Sequence, residues 1–384
     1  MVPSGEPAEL VPLLTWLRTG ETTDRRLDFP AGTALPDGRL DLCKQALGPA
    51  GAALVADALR PGMVRHLLLG TDGLGDAGAA EAVGRAVDRQ VETLYLGCNG
   101  ITAGGACRIA DGLRMSPQAG RVTGVWLKRN PLGAGAGEAA AGIVAAARSL
   151  RTLDLVQTGL DAPGLAVLVD ALVVASAAGR RVERLYVGGN PLGPRGAEHL
   201  AVLLHADVLE ELYVSAASLG DEGADVLSEA LSGALSDELV HSGRLRRISL
   251  ASNGIGPEAV ARLVVAATAA GVEVCDVGRV RAARVLGAPD NRLDEAATAT
   301  IAEALSAGPH RMRHLVLTDT GLRSREAHRL LDGATRAVSP TRFVLGKGIA
   351  TTINRRLGQF SSAIPLSPAV PDDVAAVRSV HRQA

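Results

Sequence analysis

The chain has 384 residues, of which 47% are hydrophobic and only 2% aromatic, with 40 basic against 41 acidic side chains. That is ample material for a large core, and a formal net charge of −1 gives no electrostatic basis for binding nucleic acid or an anionic membrane. Cys43, Cys98, Cys107 and Cys275 are scattered without C-x-x-C spacing and read as small buried hydrophobes, which fits a reducing cytoplasm.

In chain order, residues 1–36 come first. Leu10, Leu13, Leu14, Trp16 and Leu17 recur there at helical spacing and predict an N-terminal cap with Trp16 in its core. Residues 1–20 lack a basic region followed by an apolar core and a cleavage site, and no later run approaches a membrane span, so a cytoplasmic protein without membrane contact is expected. Residues 37–345 repeat one phrase: an apolar residue, two variable positions, then L-x-L-x-x-N-x-L-G. It stands at Leu40-Asp41-Leu42, returns at Leu67, Leu94, Val125 and Leu153, and continues at Leu185, Leu212, Ile248, Cys275, Leu315 and Phe343. The first steps are 27, 27, 31, 28, 32, 27 and 36 residues, and a period of ~28 means about 10–11 stacked repeats. After each turn comes an apolar stretch at helical spacing, as over 51–59 and 196–204. The repeating unit is therefore strand, turn, helix.

An asparagine or a small polar substitute stands three residues past the second leucine: Gln45, Asp72, Asn99, Asn130, Thr158, Asn190, Asn253 and Thr320. Inside a stacked coil such a side chain satisfies turn backbone that has no strand partner, so its expected role is structural. Together these residues resemble the ribonuclease-inhibitor-like class of leucine-rich repeat proteins. The resemblance implies an α/β horseshoe solenoid with parallel inner strands and outer α-helices, capped at both ends. In that class ribonuclease inhibitor holds its enzyme partner through aromatic and charged inner residues. Ran GTPase-activating proteins share the repeat but carry a strongly acidic C-terminal region, whereas this sequence closes on Val-Arg-Ser-Val-His-Arg-Gln-Ala. The alanine, glycine and arginine bias points to a high-GC bacterial genome.

Alternation along a strand sends the leucines of L-x-L into the core and the middle residue to the concave side. The middle residues are Asp41, Leu68, Tyr95, Trp126, Asp154, Tyr186, Tyr213, Ser249, Asp276, Val316 and Val344, so all three tyrosines and one of two tryptophans fall in this row. Charged neighbours, among them Lys128, Arg184, Glu211 and Arg247, border it, a composition typical of protein-recognition hot spots. The plainer alternative is that tyrosine simply packs well on a pleated surface. At a strand spacing of ~4.8 Å, Tyr95 to Tyr213 spans roughly 19 Å, the scale of an extended peptide.

Residues 278–290 are an insertion at one rim carrying Arg279, Arg281 and Arg284, readable either as a loop or as a degenerate extra coil beginning at Leu286. Residues 346–384 change character: a basic helical stretch through Asn354-Arg355-Arg356, a Ser- and Pro-rich linker over 361–371, and a last helix over about 372–382 with Val374, Val377 and Val380 on one face. That segment is expected to fold back as a cap, with a detachable tail as the alternative. No G-x-S-x-G, H-E-x-x-H or P-loop occurs, and Cys43-Lys44 is better read as turn geometry than as a nucleophile pair. The expectation is a non-catalytic scaffold binding a protein or peptide through Tyr95, Trp126, Lys128, Asp154, Arg184, Tyr186, Glu211, Tyr213, Arg247 and the three rim arginines, with no cofactor and no metal. The alternative is an enzyme, or an enzyme's accessory subunit, acting on a bound peptide at Trp126, Asp154 and Tyr186, with Asp154 as acid or base.

Overall fold

Each leucine phrase folds as a short strand, and the apolar stretch after it as a helix. The computed structural model describes residues 7–233 and 243–381, in two units: residues up to 160 with 170–182 and those from 370 onward, and residues 161–169 with 183–369.

The first unit runs α1 (Val11–Thr19), β1 (Leu27–Phe29), β2 (Gly32–Ala34), β3 (Arg39–Asp41), α2 (Gly48–Ala58), β4 (His66–Leu68), α3 (Gly75–Asp88), β5 (Thr93–Tyr95), α4 (Ala103–Met115), β6 (Gly124–Trp126), α5 (Ala136–Ala146) and β7 (Thr152–Asp154). From β3 to β7 each strand pairs in parallel with the next, and the register aligns Leu40, Leu67, Leu94, Val125 and Leu153 as the sequence period predicts. Helices α2, α3, α4 and α5 pack one on the next. The start of the sheet is closed differently from the expectation of a helix alone. Strands β1 and β2 form an antiparallel hairpin that pairs with β3 and so satisfies its outer edge, while α1 buries Leu13, Leu14 and Leu17. Trp16 is half-buried, its ring 5.5 Å from that of Phe29.

Helix α6 (Ala162–Ala177) is divided between the two groups of residues. The second unit continues with β8 (Arg184–Tyr186), α7 (Gly193–His205), β9 (Glu211–Tyr213), α8 (Gly220–Gly233), β10 (Arg247–Ser249), α9 (Pro257–Ala269), β11 (Val274–Asp276), α10 (Ala283–Leu286), α11 (Glu295–Ser306), β12 (His314–Leu317), α12 (Ser324–Arg336), β13 (Arg342–Leu345) and α13 (Thr351–Phe360). Its strands are parallel in sequence order, with Leu185, Leu212, Ile248, Cys275, Leu315 and Phe343 in register. Ile353 and Leu357 of α13 pack on Ala327 and Leu331 of α12 and against Phe343, covering the last coil. Residues 278–290 form a loop holding the one-turn helix α10, and no strand. Asn291 takes the asparagine slot of that repeat, its amide donating to the carbonyls of Leu250 and Val277.

The asparagine slot is a ladder. The Asn99 Oδ1 accepts the N–H of Asp72 at 2.9 Å, and its amide donates to the carbonyls of Leu69 and Leu96 at 2.6 and 2.9 Å. Asn130 repeats the pattern one coil on, and Asn253 and Asn291 repeat it in the second unit. Except at Asp290, before Asn291, the residue in front of the rung is left-handed even where it is not glycine, as at Lys44, Thr71, Cys98, Arg129, Gln157, Ala216, Ser252 and Asp319. The glycine ending the phrase is there for the same reason: Gly48, Gly75, Gly133, Gly193 and Gly220 all have φ of 58° to 62°, where a Cβ is strained.

Candidate functional site

In the first unit the middle residues Asp41, Leu68, Tyr95, Trp126 and Asp154 stand side by side in register. Glycines make room for the rings: a Cβ on Gly70 would fall 2.5 Å from the Tyr95 ring, and one on Gly124 would fall 2.1 Å from the Trp126 ring. The Lys128 ammonium lies 5.2 Å from the centre of the Tyr95 ring, in cation–π range.

This row is covered. Tyr95, Trp126 and Asp154 are only 4%, 2% and 5% exposed. The cover is the chain's own segment after α14 (Asp372–Ala375), where Val377 closes an apolar cluster with Cys43, Leu68, Tyr95 and Trp126. Polar groups of the row hold the same segment. An Arg39 guanidinium N–H donates to the Arg378 carbonyl at 2.6 Å, the Asp41 carboxylate accepts the Val380 N–H at 2.5 Å and the Ser379 hydroxyl at 3.1 Å, and the Thr152 hydroxyl donates to Asp373 at 3.2 Å. The helix predicted over 372–382 therefore stops at Ala375. The backbone groups that would extend it, the Arg378 carbonyl and the Val380 N–H, are bound to the strands instead.

The middle aspartates share one geometry. Asp41, Asp154 and Asp276 each turn one carboxylate oxygen onto the N–H two residues on, at Cys43, Val156 and Gly278, at 3.1, 2.9 and 3.0 Å. Asp154 is thereby tied to the end of its own strand. Burial pushes the Cys43 thiol up to about 12, with the Asp41 charge adding to it, so the thiol stays protonated and is no nucleophile.

In the second unit Tyr186 and Tyr213 stack with ring centres 4.3 Å apart and planes 3° from parallel. The Tyr213 hydroxyl donates to Glu211 at 2.7 Å, and the Glu211 carboxylate lies 3.8 Å from Arg184 and 3.5 Å from Arg247. Burial, followed by the Glu211 charge, raises the Tyr213 phenol further above its ordinary range. Here too a later segment of the chain is bound through its backbone. Arg342 donates to the carbonyls of Ser361 and Ile364, His314 contacts the Pro365 carbonyl at 2.9 Å, and Arg247 donates to the Ala369 carbonyl.

Of the predicted site residues, the structure brings Tyr95, Trp126, Lys128 and Asp154 together in the first unit, and Arg184, Tyr186, Glu211, Tyr213 and Arg247 in the second. The rim arginines stand apart. Arg279 pairs with Asp290 at 3.3 Å and opens with Arg292, Arg323 and Lys347 onto a cavity of about 400 Å³, while Arg281 and Arg284 are exposed. Sequence reasoning missed Arg39, Thr152 and Val377 as site residues, and Gly70 and Gly124 as the floor beneath the rings. The signal was available for Gly124, whose slot holds a side chain in the other repeats, but not for Gly70, whose slot is glycine again at Gly97, Gly188, Gly278 and Gly346.

Among the described residues no cluster of three or more His, Cys, Asp or Glu is placed to hold a metal ion, and no helix is long and apolar enough to cross a membrane. Comparison with family models and with curated proteins returned no match.

Proposed function

We propose that this chain is a non-catalytic leucine-rich repeat scaffold of the ribonuclease-inhibitor-like class, a horseshoe whose inner strand row binds a protein or peptide. The single observation supporting the reading is that the row already receives a segment of the chain itself, held through its backbone groups. In each unit, side chains at the strand ends take backbone carbonyls of residues 361–381. Side chains that satisfy backbone groups, combined with one apolar pocket, are a recurring means of peptide recognition. The same proposal places the protein in a cytoplasm, with Cys43, Cys98, Cys107 and Cys275 as free thiols.

The test is to pan a random library of extended peptides on the intact protein. The selected peptides are then measured against the triple variant Tyr95→Ala, Tyr186→Ala, Tyr213→Ala. Affinity is expected to fall at least tenfold. Undiminished binding by a folded triple variant defeats the strand row as the site.

A further inference from the structure

The occupant of the first unit's strand row describes a ligand. Of residues 371–381 only Ala376 and Val377 are buried, and Val380 is 37% exposed, so the segment gives the unit little core of its own. Its helix is a single turn. What it does supply is complementarity: Val377 into the Cys43, Leu68, Tyr95 and Trp126 cluster, the Asp373 carboxylate to the Thr152 hydroxyl, the Arg378 carbonyl to Arg39, and the Val380 N–H to Asp41. Arg39 meets a backbone carbonyl and is indifferent to the side chain there, whereas Asp41 takes both a backbone N–H and the Ser379 hydroxyl. Selectivity therefore resides in the apolar pocket, at Thr152, and at Asp41, which needs an N–H opposite it and takes a hydroxyl one residue earlier.

We infer that this row is a recognition groove which residues 371–381 fill as a tethered stand-in. The partner that displaces them is a short peptide that makes one helical turn and then runs irregularly, as residues 372–381 do, with an aliphatic side chain in the place of Val377, a carboxylate four residues before it, and any residue but proline three residues after it. The inference rests on the peptide-binding reading above and gives its partner a chemistry. A tethered competitor acts at an effective concentration in the millimolar range, so it screens the groove from weak ligands and yields to a segment that fits better or is itself held nearby.

The probe is a labelled synthetic peptide of residues 371–381, titrated by fluorescence anisotropy into the full chain, into full-length Val377→Asp and into the milder Val377→Ala. Near-ultraviolet circular dichroism checks that each is folded. The peptide is expected to bind Val377→Asp at least tenfold tighter than wild type, with Val377→Ala between them. A probe carrying proline in the place of Val380, or lysine in the place of Asp373, is expected to bind Val377→Asp at least tenfold more weakly than the native peptide. Equal binding to all three proteins overturns the tethered stand-in and leaves peptide binding standing. No binding to either folded variant overturns the groove, and if panning on the intact protein also selects nothing, the peptide-binding reading falls with it. A wild-type dimer that Val377→Asp abolishes overturns the inference by making the natural occupant the same segment of a second copy.

Discussion

Asp72 is the rung of the asparagine ladder with the wrong chemistry, and replacing it with asparagine tests the ladder directly. Its Oδ1 does what those of Asn99, Asn130, Asn253 and Asn291 do, accepting a rung N–H one coil back, here that of Gln45 at 2.9 Å. Its Oδ2 is buried and has no hydrogen-bond partner, where Asn99 one coil on places an amide that donates to two carbonyls. Burial pushes the Asp72 carboxyl up to about 7 from an ordinary value of 3.8, only partly offset by the N–H groups of Gln45, Leu47 and Ala46. The folded state therefore holds a proton between pH 4 and 7 that the unfolded chain has given up. The stabilisation this represents is fully present below the unfolded value and is lost as pH rises through about 7. A shift of roughly three units corresponds to about 4 kcal/mol at most. Asp72→Asn supplies the donor at every pH. It should match the wild type near pH 4 and exceed it by a few kcal/mol near pH 8.5. Urea denaturation of both proteins at half-unit pH steps reads the difference, since every other group titrates alike in the two chains. Stability curves that stay parallel from pH 4 to 8.5 would show that Asp72 is ionised without penalty and that its slot is not a donor position.

The left-handed residue before each rung yields a second expectation. Ala216 has φ 54°, where Gly189 stands in another repeat, so Ala216→Gly should raise stability by roughly 0.5–1 kcal/mol after the entropic cost of glycine. Gly220→Ala, at φ 62°, should lower it by about 1 kcal/mol or more, and the urea midpoints of the two variants check both signs. Cysteine labelling gives another: Cys107 is exposed while Cys43 lies under Val377 with its thiol pushed up to about 12. Iodoacetamide at pH 7.5, followed by peptide mapping, should modify Cys107 first and Cys43 orders of magnitude more slowly, with Val377→Asp accelerating only Cys43. Equal rates at Cys43 and Cys107 in the native protein would contradict the cover.

The strand register was legible because it is local and repeated. An apolar residue, two spacers and L-x-L fix which side chains point which way, and Leu40, Leu67 and Leu94 align as the period requires. The rungs were legible for the same reason, and so was the special backbone at Gly48 and Gly75, which only glycine adopts at low cost. Alternation also names the face on which Tyr95 and Trp126 lie. It carries no information about what covers that face, because Val377 is brought to it by the fold from far along the chain. The valines at 374, 377 and 380 fit a helix in isolation, and the strand row overrides that preference by taking the Arg378 carbonyl and the Val380 N–H. The hairpin over residues 27–34 was missed because two three-residue strands are too short for a period to show.

The aspartates of the middle row join the fold to the proposed recognition. An aspartate in the middle slot caps its own strand, since one oxygen accepts the N–H two residues on and fixes the carboxylate in place. At Asp41 the second oxygen then takes a peptide N–H from residue 380, and at Asp276 it takes the Ser249 hydroxyl at 3.1 Å. A carboxylate held by its own strand loses little further freedom on meeting a ligand, which is the condition for a useful contact with something as generic as a backbone N–H. Such a contact selects a backbone with a free N–H at that point rather than a sequence. Sequence selection then falls to the side-chain contacts at Thr152 and, above all, to the Leu68, Tyr95 and Trp126 cluster with its glycine floor. Enlarging that floor with Gly124→Ala should impair a ligand's aliphatic anchor while sparing the contact at Asp41. If instead it weakened anchor-bearing and anchor-less peptides equally, discrimination would have to come from the polar contacts after all.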